Sequence, residues 1–235
     1  WQSMAFGKSA ESIHALRQGQ TLRPYNGTDE NRFHRGLGIE LAKKSWSVSL
    51  FYAADKMDGN LAADTGLLAG RVLTSFQTSG LHRTGSEIID KDAFRQKAIG
   101  GRLGFRRGRL IIAVNGIQYF FSETIQRKNE PYNLFSVTGK RWINFSVDYG
   151  YTFKNVYVFG ELATDKGRHH AVVQGLLASL HPTLDISIVY GHISPAYRSF
   201  QASAFTENRE PQNERGIYTG LSWRPVPGWR LDFYA

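Results

Sequence analysis

Apolar and polar residues alternate along most of this chain. Over residues 142–153, Ile143, Phe145, Val147, Tyr149, Tyr151 and Phe153 share one parity, and Asn144, Ser146, Asp148, Gly150 and Thr152 the other. A period of two puts each set on its own face of a β-strand. The pattern recurs with Leu184, Ile186, Ile188 and Tyr190 against Asp185, Ser187, Val189 and Gly191, and with Trp46, Val48, Leu50 and Tyr52 against Ser47, Ser49 and Phe51. Leu37, Ile39 and Leu41 oppose Gly36, Gly38 and Glu40; Ile217, Leu221 and Trp223 oppose Tyr218, Gly220 and Ser222; Trp229, Leu231 and Phe233 oppose Arg230, Asp232 and Tyr234. Less regular segments cover 98–106, 109–122, 155–165 and 169–181. The reading predicts about ten strands after residue 32 and one more near the N-terminus, each near the ~9–11 residues a tilted strand needs to cross a bilayer.

The connections fall into two kinds that take turns. Short links lie at 43–45, 107–108, 154–155, 181–183 and 225–228; longer ones lie at about 7–32, 57–97, 123–140 and 196–213, with a briefer one near Lys166-Gly167. Tight turns therefore gather at one end of the sheet and long loops at the other, as in barrels with short periplasmic turns and long extracellular loops.

Alternation by itself is equally a property of soluble sandwiches and lipocalin-like barrels. Three features favour lipid over a dry core. The polar faces carry Gly, Ser, Asn, Asp and single Arg or Glu residues, where a water-facing sheet would use Lys, Glu and Thr and guard its edges with charge. Aromatic residues Trp46, Phe105, Tyr151, Phe153, Trp223 and Trp229 sit beside the tight turns as an interfacial girdle would. Ten or eleven long strands, by rough count, exceed what a closed soluble barrel uses. The expected fold is all-β: an antiparallel up-and-down transmembrane β-barrel of the bacterial outer membrane. Residues 1–235 form one domain, read as a fragment of a larger barrel because both ends fall as if cut, the last in mid-strand.

Composition sharpens this. Forty-one per cent apolar residues in 235 positions exclude a disordered chain, and the absence of cysteine excludes disulfides, zinc-thiolate sites and a thiol nucleophile. Mean hydropathy is −0.36 and no apolar run approaches the ~18 residues of a spanning helix, which leaves transmembrane strands open. The net charge of +9 could suit nucleic acid. The basic residues, however, scatter among turns (Lys43, Lys44, Arg106, Arg107, Arg109) and loops (Arg17, Arg23, Arg71, Arg83, Arg95, Arg127, Lys128, Arg168, Arg198, Arg209). At two barrel rims they would meet lipid phosphates, of lipopolysaccharide outside and phospholipid inside.

The segments Asn31–Gly36, Thr78–Thr84 running to Glu87–Lys91, Phe205–Asn208 and Asn213–Tyr218 give the chain a further character. In them it resembles the barrel region of Bacteroidota outer-membrane proteins that carry an N-terminal helix-hairpin-helix segment similar to competence DNA-binding proteins. The resemblance implies a barrel in the outer membrane; other outer-membrane or periplasmic subunits are expected as partners of a membrane subunit. It implies DNA binding only through a segment not present here, since nothing in this stretch reads as a helix-hairpin-helix.

Candidate chemistry is sparse. Glu40, Arg102, Asp148, Asp185, Arg230 and Asp232 fall on the polar face, with Glu161 uncertain in phase; they would line the lumen, either setting selectivity or filling the barrel as ion-pair ladders. The 57–97 loop is long enough to be functional. In it, Thr84-Gly85-Ser86-Glu87 is a capping-box pattern before Ile88 and Ile89, so a short helix is expected. His82, Arg83, Thr84 and Glu87 are its candidates, in a plug or docking element or in a helix resting on the barrel mouth. Residues 55–60 read as a turn and not a calcium loop, and the histidines form no metal-ligand spacing. No Gly-x-Ser-x-Gly elbow links Ser, His and Asp. No cofactor is expected. The function expected is a non-enzymatic channel, transporter or membrane subunit of an envelope complex, with a membrane anchor for a DNA-uptake module and an outer-membrane hydrolase as alternatives.

Overall fold

A computed structural model describes residue 22 and residues 33–63, 70–128, 130–200 and 212–235. The readings at the N-terminal strand, Arg17, Arg23, Asn31, Arg32, Phe205–Asn208 and Arg209 lie outside them. The strands are β1 (Gly36–Lys43), β2 (Trp46–Met57), β3 (Gly59–Ala63), β4 (Arg71–Phe76), β5 (Phe94–Arg107), β6 (Leu110–Ile125), β7 (Gly139–Phe153), β8 (Val156–Asp165), β9 (His170–His181), β10 (Leu184–Ile193), β11 (Glu214–Trp223) and β12 (Leu231–Tyr234). One short helix, α1 (Gly85–Ile89), precedes β5.

Ten of these strands form an antiparallel meander in the order β1-β2-β5-β6-β7-β8-β9-β10-β11-β12. This is the up-and-down sheet expected from the alternation. Among the described residues β1 and β12 pair on one side only, so the sheet is not closed. The short β8–β9 turn lies at one end, and the two-residue turns β1–β2, β5–β6, β7–β8 and β9–β10 lie at the other. Lys44 and Lys154 adopt the left-handed region there (φ 55° and 53°), as does Gly108 (φ 58°), which lets each hairpin reverse in a few residues.

The sheet is inside-out. In β7, Asn144, Ser146, Asp148 and Gly150 are buried while Phe145, Val147, Tyr151 and Phe153 are exposed. The inversion runs across the sheet. Leu50, Leu103, Val114, Leu162, Ile188 and Ile217 face outward, and Ser49, Arg102, Asn115, Asp165, Ser187 and Ser222 face in. Residues of the short edge strand β1 are exposed on both faces.

Part of the enclosed face is nonetheless apolar. Phe51, Leu73, Phe94, Tyr119, Phe121 and Ile125 pack there in one cluster with Trp142. This explains why 98–106 and 109–122 alternate poorly: at the long-loop end, β5 and β6 bury apolar side chains inward as well as presenting them outward. Glycines make room for the rings. The Phe51 ring lies over its cross-strand partner Gly100, and Phe159 lies over Gly175.

The 57–97 segment corrects the reading of one long loop. β2 runs on to Met57, only Asp58 separates it from β3, and β3 and β4 form a hairpin. β4 then pairs in parallel with β6 at Val72↔Thr124 and Leu73↔Ile125. The turn read at residues 55–60 accordingly shrinks to Asp58. Its neighbours are in strands because both the meander and the hairpin need their backbone groups.

Candidate functional site: the barrel interior

The interior has a polar half and a stoppered half. At mid-sheet the cross-strand register places Ser49 beside Arg102, Arg102 beside Asn115, and Asn115 beside Ser146. All point inward, and the long side chains reach one residue further to Asp148. Arg102 Nη2 donates to Asp148 Oδ1 at 2.9 Å, and Asn115 Nδ2 donates to Asp148 Oδ2 at 2.8 Å and to Ser146 Oγ at 3.1 Å. Asp148 is 1% exposed, so this pair is not screened by bulk water. Glu161 is settled in phase: it is the cross-strand partner of Asp148 and shares the inward parity of Phe159, Ala163 and Asp165.

Among the described residues, Arg102 Nε, Asn115 Oδ1, Asn144 Oδ1 and Ser222 Oγ are buried with no hydrogen-bond partner. Buried polar atoms in such positions are ordinarily satisfied by individual ordered water molecules.

The remaining lumen-lining candidates do not join this network. Asp185 lies at the tight-turn end, accepting from Ser179 Oγ at 2.6 Å and pairing with Arg224. Arg230 pairs with Asp232 at 2.9 Å. Glu40 has the inward phase, opposite Ser49, but is exposed because β1 is an edge. Ion-pair formation thus describes Arg102, Asp148, Asp185, Arg230 and Asp232.

The stopper comes from two loops. The β3–β4 hairpin delivers Leu73, fully buried, and Phe76, whose ring meets those of Phe94 and Phe121. From the opposite side, the segment after β10 delivers Phe200, with ring centroids 5.4 Å from Phe76, 5.3 Å from Tyr119 and 5.4 Å from Phe121. Trp142 Nε1 and Asn144 Nδ2 both donate to the Arg198 carbonyl, at 3.1 and 2.7 Å, and Tyr119 Oη donates to the Phe200 carbonyl.

Helix α1 is not the plug, a correction to one reading of its capping box. Thr84 and Glu87 form the box as expected, with Glu87 Oε2 accepting from the Arg83 and Thr84 amides. Those N–H groups, above all, hold the Glu87 carboxyl below its ordinary pKa. Yet α1 buries no residue, and Ile88 and Ile89 are exposed. The chain before it is held by the Asp58–His82 contact at 2.9 Å.

Buried aspartates tie the loops down at this end, a feature the sequence reading missed because the partners are distant in the chain. Asp58 also accepts the Asp92 amide. Asp55 accepts the Arg35 amide and lies 3.9 Å from His34. Asp165 accepts the amides of Gly167, His169 and Arg198 and meets His169 Nδ1 at 3.1 Å. Burial lowers His34 to a pKa of about 4 and pushes the Tyr197 phenol, beside Ala163 and Ile193, up to about 12. Among the described residues, no histidine of these three pairs is hydrogen-bonded to a hydroxyl, and no three ligand-type side chains cluster as a metal site would require.

The aromatic residues beside the tight turns share one face of the sheet. Trp46 (53% exposed), Tyr151, Phe153, Trp223 and Trp229 face outward at the tight-turn end, and Phe105 packs on Trp46 with ring centroids 4.7 Å apart.

A sheet that buries its polar face and presents its apolar face outward has the face pattern of a transmembrane barrel wall. No family model and no curated protein matches the chain. Among solved structures it is similar to OmpT, an outer-membrane protein of Vibrio cholerae folded in vitro and seen as a trimer, with a TM-score of 0.41 and 10% identity over 85% of this chain and 55% of that one. The chain thus spans about half the length of that protein.

Proposed function

We propose that this protein is a β-barrel segment of the bacterial outer membrane with a non-enzymatic role, a channel or transporter subunit held closed at its long-loop end. The carrying observation is the inversion of burial: an exposed, continuous apolar wall of this extent is costly in water and is stabilised by lipid. The polar network around Arg102 and Asp148 supports a polar path along the enclosed face. The aromatic stopper of Leu73, Phe76 and Phe200 supports a closed resting state, because these side chains pack against Tyr119, Phe121 and one another on the enclosed face at the long-loop end.

Planar-bilayer recording tests the role. The full chain is expected to pass little current, and Leu73→Asp, which puts a charge into the stopper, is expected to open frequent steps. Silence from Leu73→Asp and from a variant lacking residues 59–76, with both inserted, would overturn the channel reading and favour a membrane subunit of an envelope assembly.

A further inference from the structure

The two ends of the sheet differ in charge. The long-loop end mixes acids and bases, whereas the hairpins β1–β2, β5–β6 and β7–β8 carry Lys43, Lys44, Arg106, Arg107, Arg109 and Lys154 and no acid. These hairpins are neighbours in the sheet, so the six cations form one arc. All six are exposed, and none is in an ion pair among the described residues. The acids nearest this end, Asp185 and Asp232, are already held by Arg224 and Arg230.

Immediately inside the arc lie the outward-facing rings of Trp46, Phe105, Tyr151 and Phe153, with Lys154 Nζ over Phe153 at 5.5 Å from its centroid. Trp46 is two residues from Lys44, about 7 Å along a strand. Cations and apolar wall are therefore not separable surfaces. A nucleic acid would satisfy the cations and leave the wall in water; a zwitterionic bilayer would satisfy the wall but offer the cations phosphates already neutralised by their own headgroup cations. An amphiphile with a net-negative headgroup above and acyl chains below satisfies both.

We propose that the tight-turn rim, from β1 to β8, is a binding surface for anionic phospholipid of the leaflet on that side. The inference rests on the membrane-barrel reading and adds a lipid preference to it. The test uses the full chain in phosphatidylcholine vesicles containing brominated phosphatidylglycerol, with quenching of the rim tryptophans as the readout. Each basic side chain near an anionic surface is worth about fivefold in binding, so a preference over brominated phosphatidylcholine of at least about tenfold is expected at low salt. It should fall toward unity in about 1 M salt, where screening acts within ~3 Å. K43Q/K44Q/R107Q/K154Q should insert normally and lose the preference, and K43R/K44R/R107K/K154R should keep it. Equal preference in the wild type and the glutamine variant would overturn the proposal, as would stronger quenching by a brominated lipopolysaccharide than by phosphatidylglycerol. Failure to insert into any vesicle would instead overturn the barrel reading beneath it.

Discussion

Replacing Asp148 with alanine removes the carboxylate that takes hydrogen bonds from both Arg102 and Asn115, and leaves the guanidinium, 8% exposed, without its counter-ion. Breaking a buried pair by removing one partner costs about 3–5 kcal/mol, more than the net worth of the pair, because the remaining charge stays desolvated. Arg102→Met strands the carboxylate instead, and Asn115 still donates to it, so its cost should lie near the low end of that range. The double variant removes both charges, and its cost should fall below the sum of the two single costs by about 1–3 kcal/mol, the coupling found for residues in contact. Urea unfolding in detergent micelles, followed by tryptophan fluorescence and heat-modifiable gel migration, measures all four corners of the cycle. Strict additivity would refute the reasoning, since it would mean that Arg102 is solvated without Asp148 and that the interior at mid-sheet is open water.

Three further outcomes follow from the packing and the pairs. Gly175→Ala would drive a Cβ into the Phe159 ring, and overpacking of this kind should lower stability by about 1–3 kcal/mol in the same urea assay. Leu73→Ala leaves a cavity beneath the hairpin worth about 2–5 kcal/mol locally, so hydrogen exchange should speed up at residues 59–76 while the outer meander remains protected. His34 is half-buried, and desolvation keeps it neutral in the fold down to a pKa of about 4, while in the unfolded chain it protonates near its ordinary value. The unfolded state therefore binds the extra proton between these values: stability should fall as pH drops from about 6.5 toward 4 and level off below, with a total on the order of 3 kcal/mol. His34→Leu should remove that part of the slope, and an unchanged pH profile would refute it.

Strands with one polar face were legible in the sequence because burying one face and exposing the other imposes period two on them most strictly. β7 and β10 emerge with the faces their residues predict, and the tight turns fall where Lys44, Gly108 and Lys154 stand. The outward-facing aromatic residues at the tight-turn end were legible for the same reason. What escaped was structure inside the barrel. The strands β3 and β4 are short, and Leu61-Ala62-Ala63 and Val72-Leu73 carry no alternation, since the hairpin lies against the interior and has no lipid face. Tyr119 and Phe121 look like ordinary strand aromatics in sequence; only the arrival of Phe76 and Phe200, the latter 81 and 79 positions away from them, makes them a stopper. The aspartate ties escaped likewise, because Asp58 meets His82 across 24 positions and Asp165 meets Arg198 across 33. The capping box of α1 was legible, being local, but a box says how a helix starts and not where it lies.

The absence of native cysteine allows the central claim, that the apolar face meets lipid, to be tested residue by residue. Single cysteines placed in turn at positions 143–153 and spin-labelled report on lipid-soluble oxygen and on a water-soluble collision reagent. With the protein in bilayers, oxygen accessibility should peak at 145, 147, 151 and 153 and fall at 144, 146, 148 and 150, a period of two with the exposed apolar residues as its maxima. Peaks of the water-soluble reagent at 145 and 147, with the chain monomeric in the absence of detergent, would contradict it.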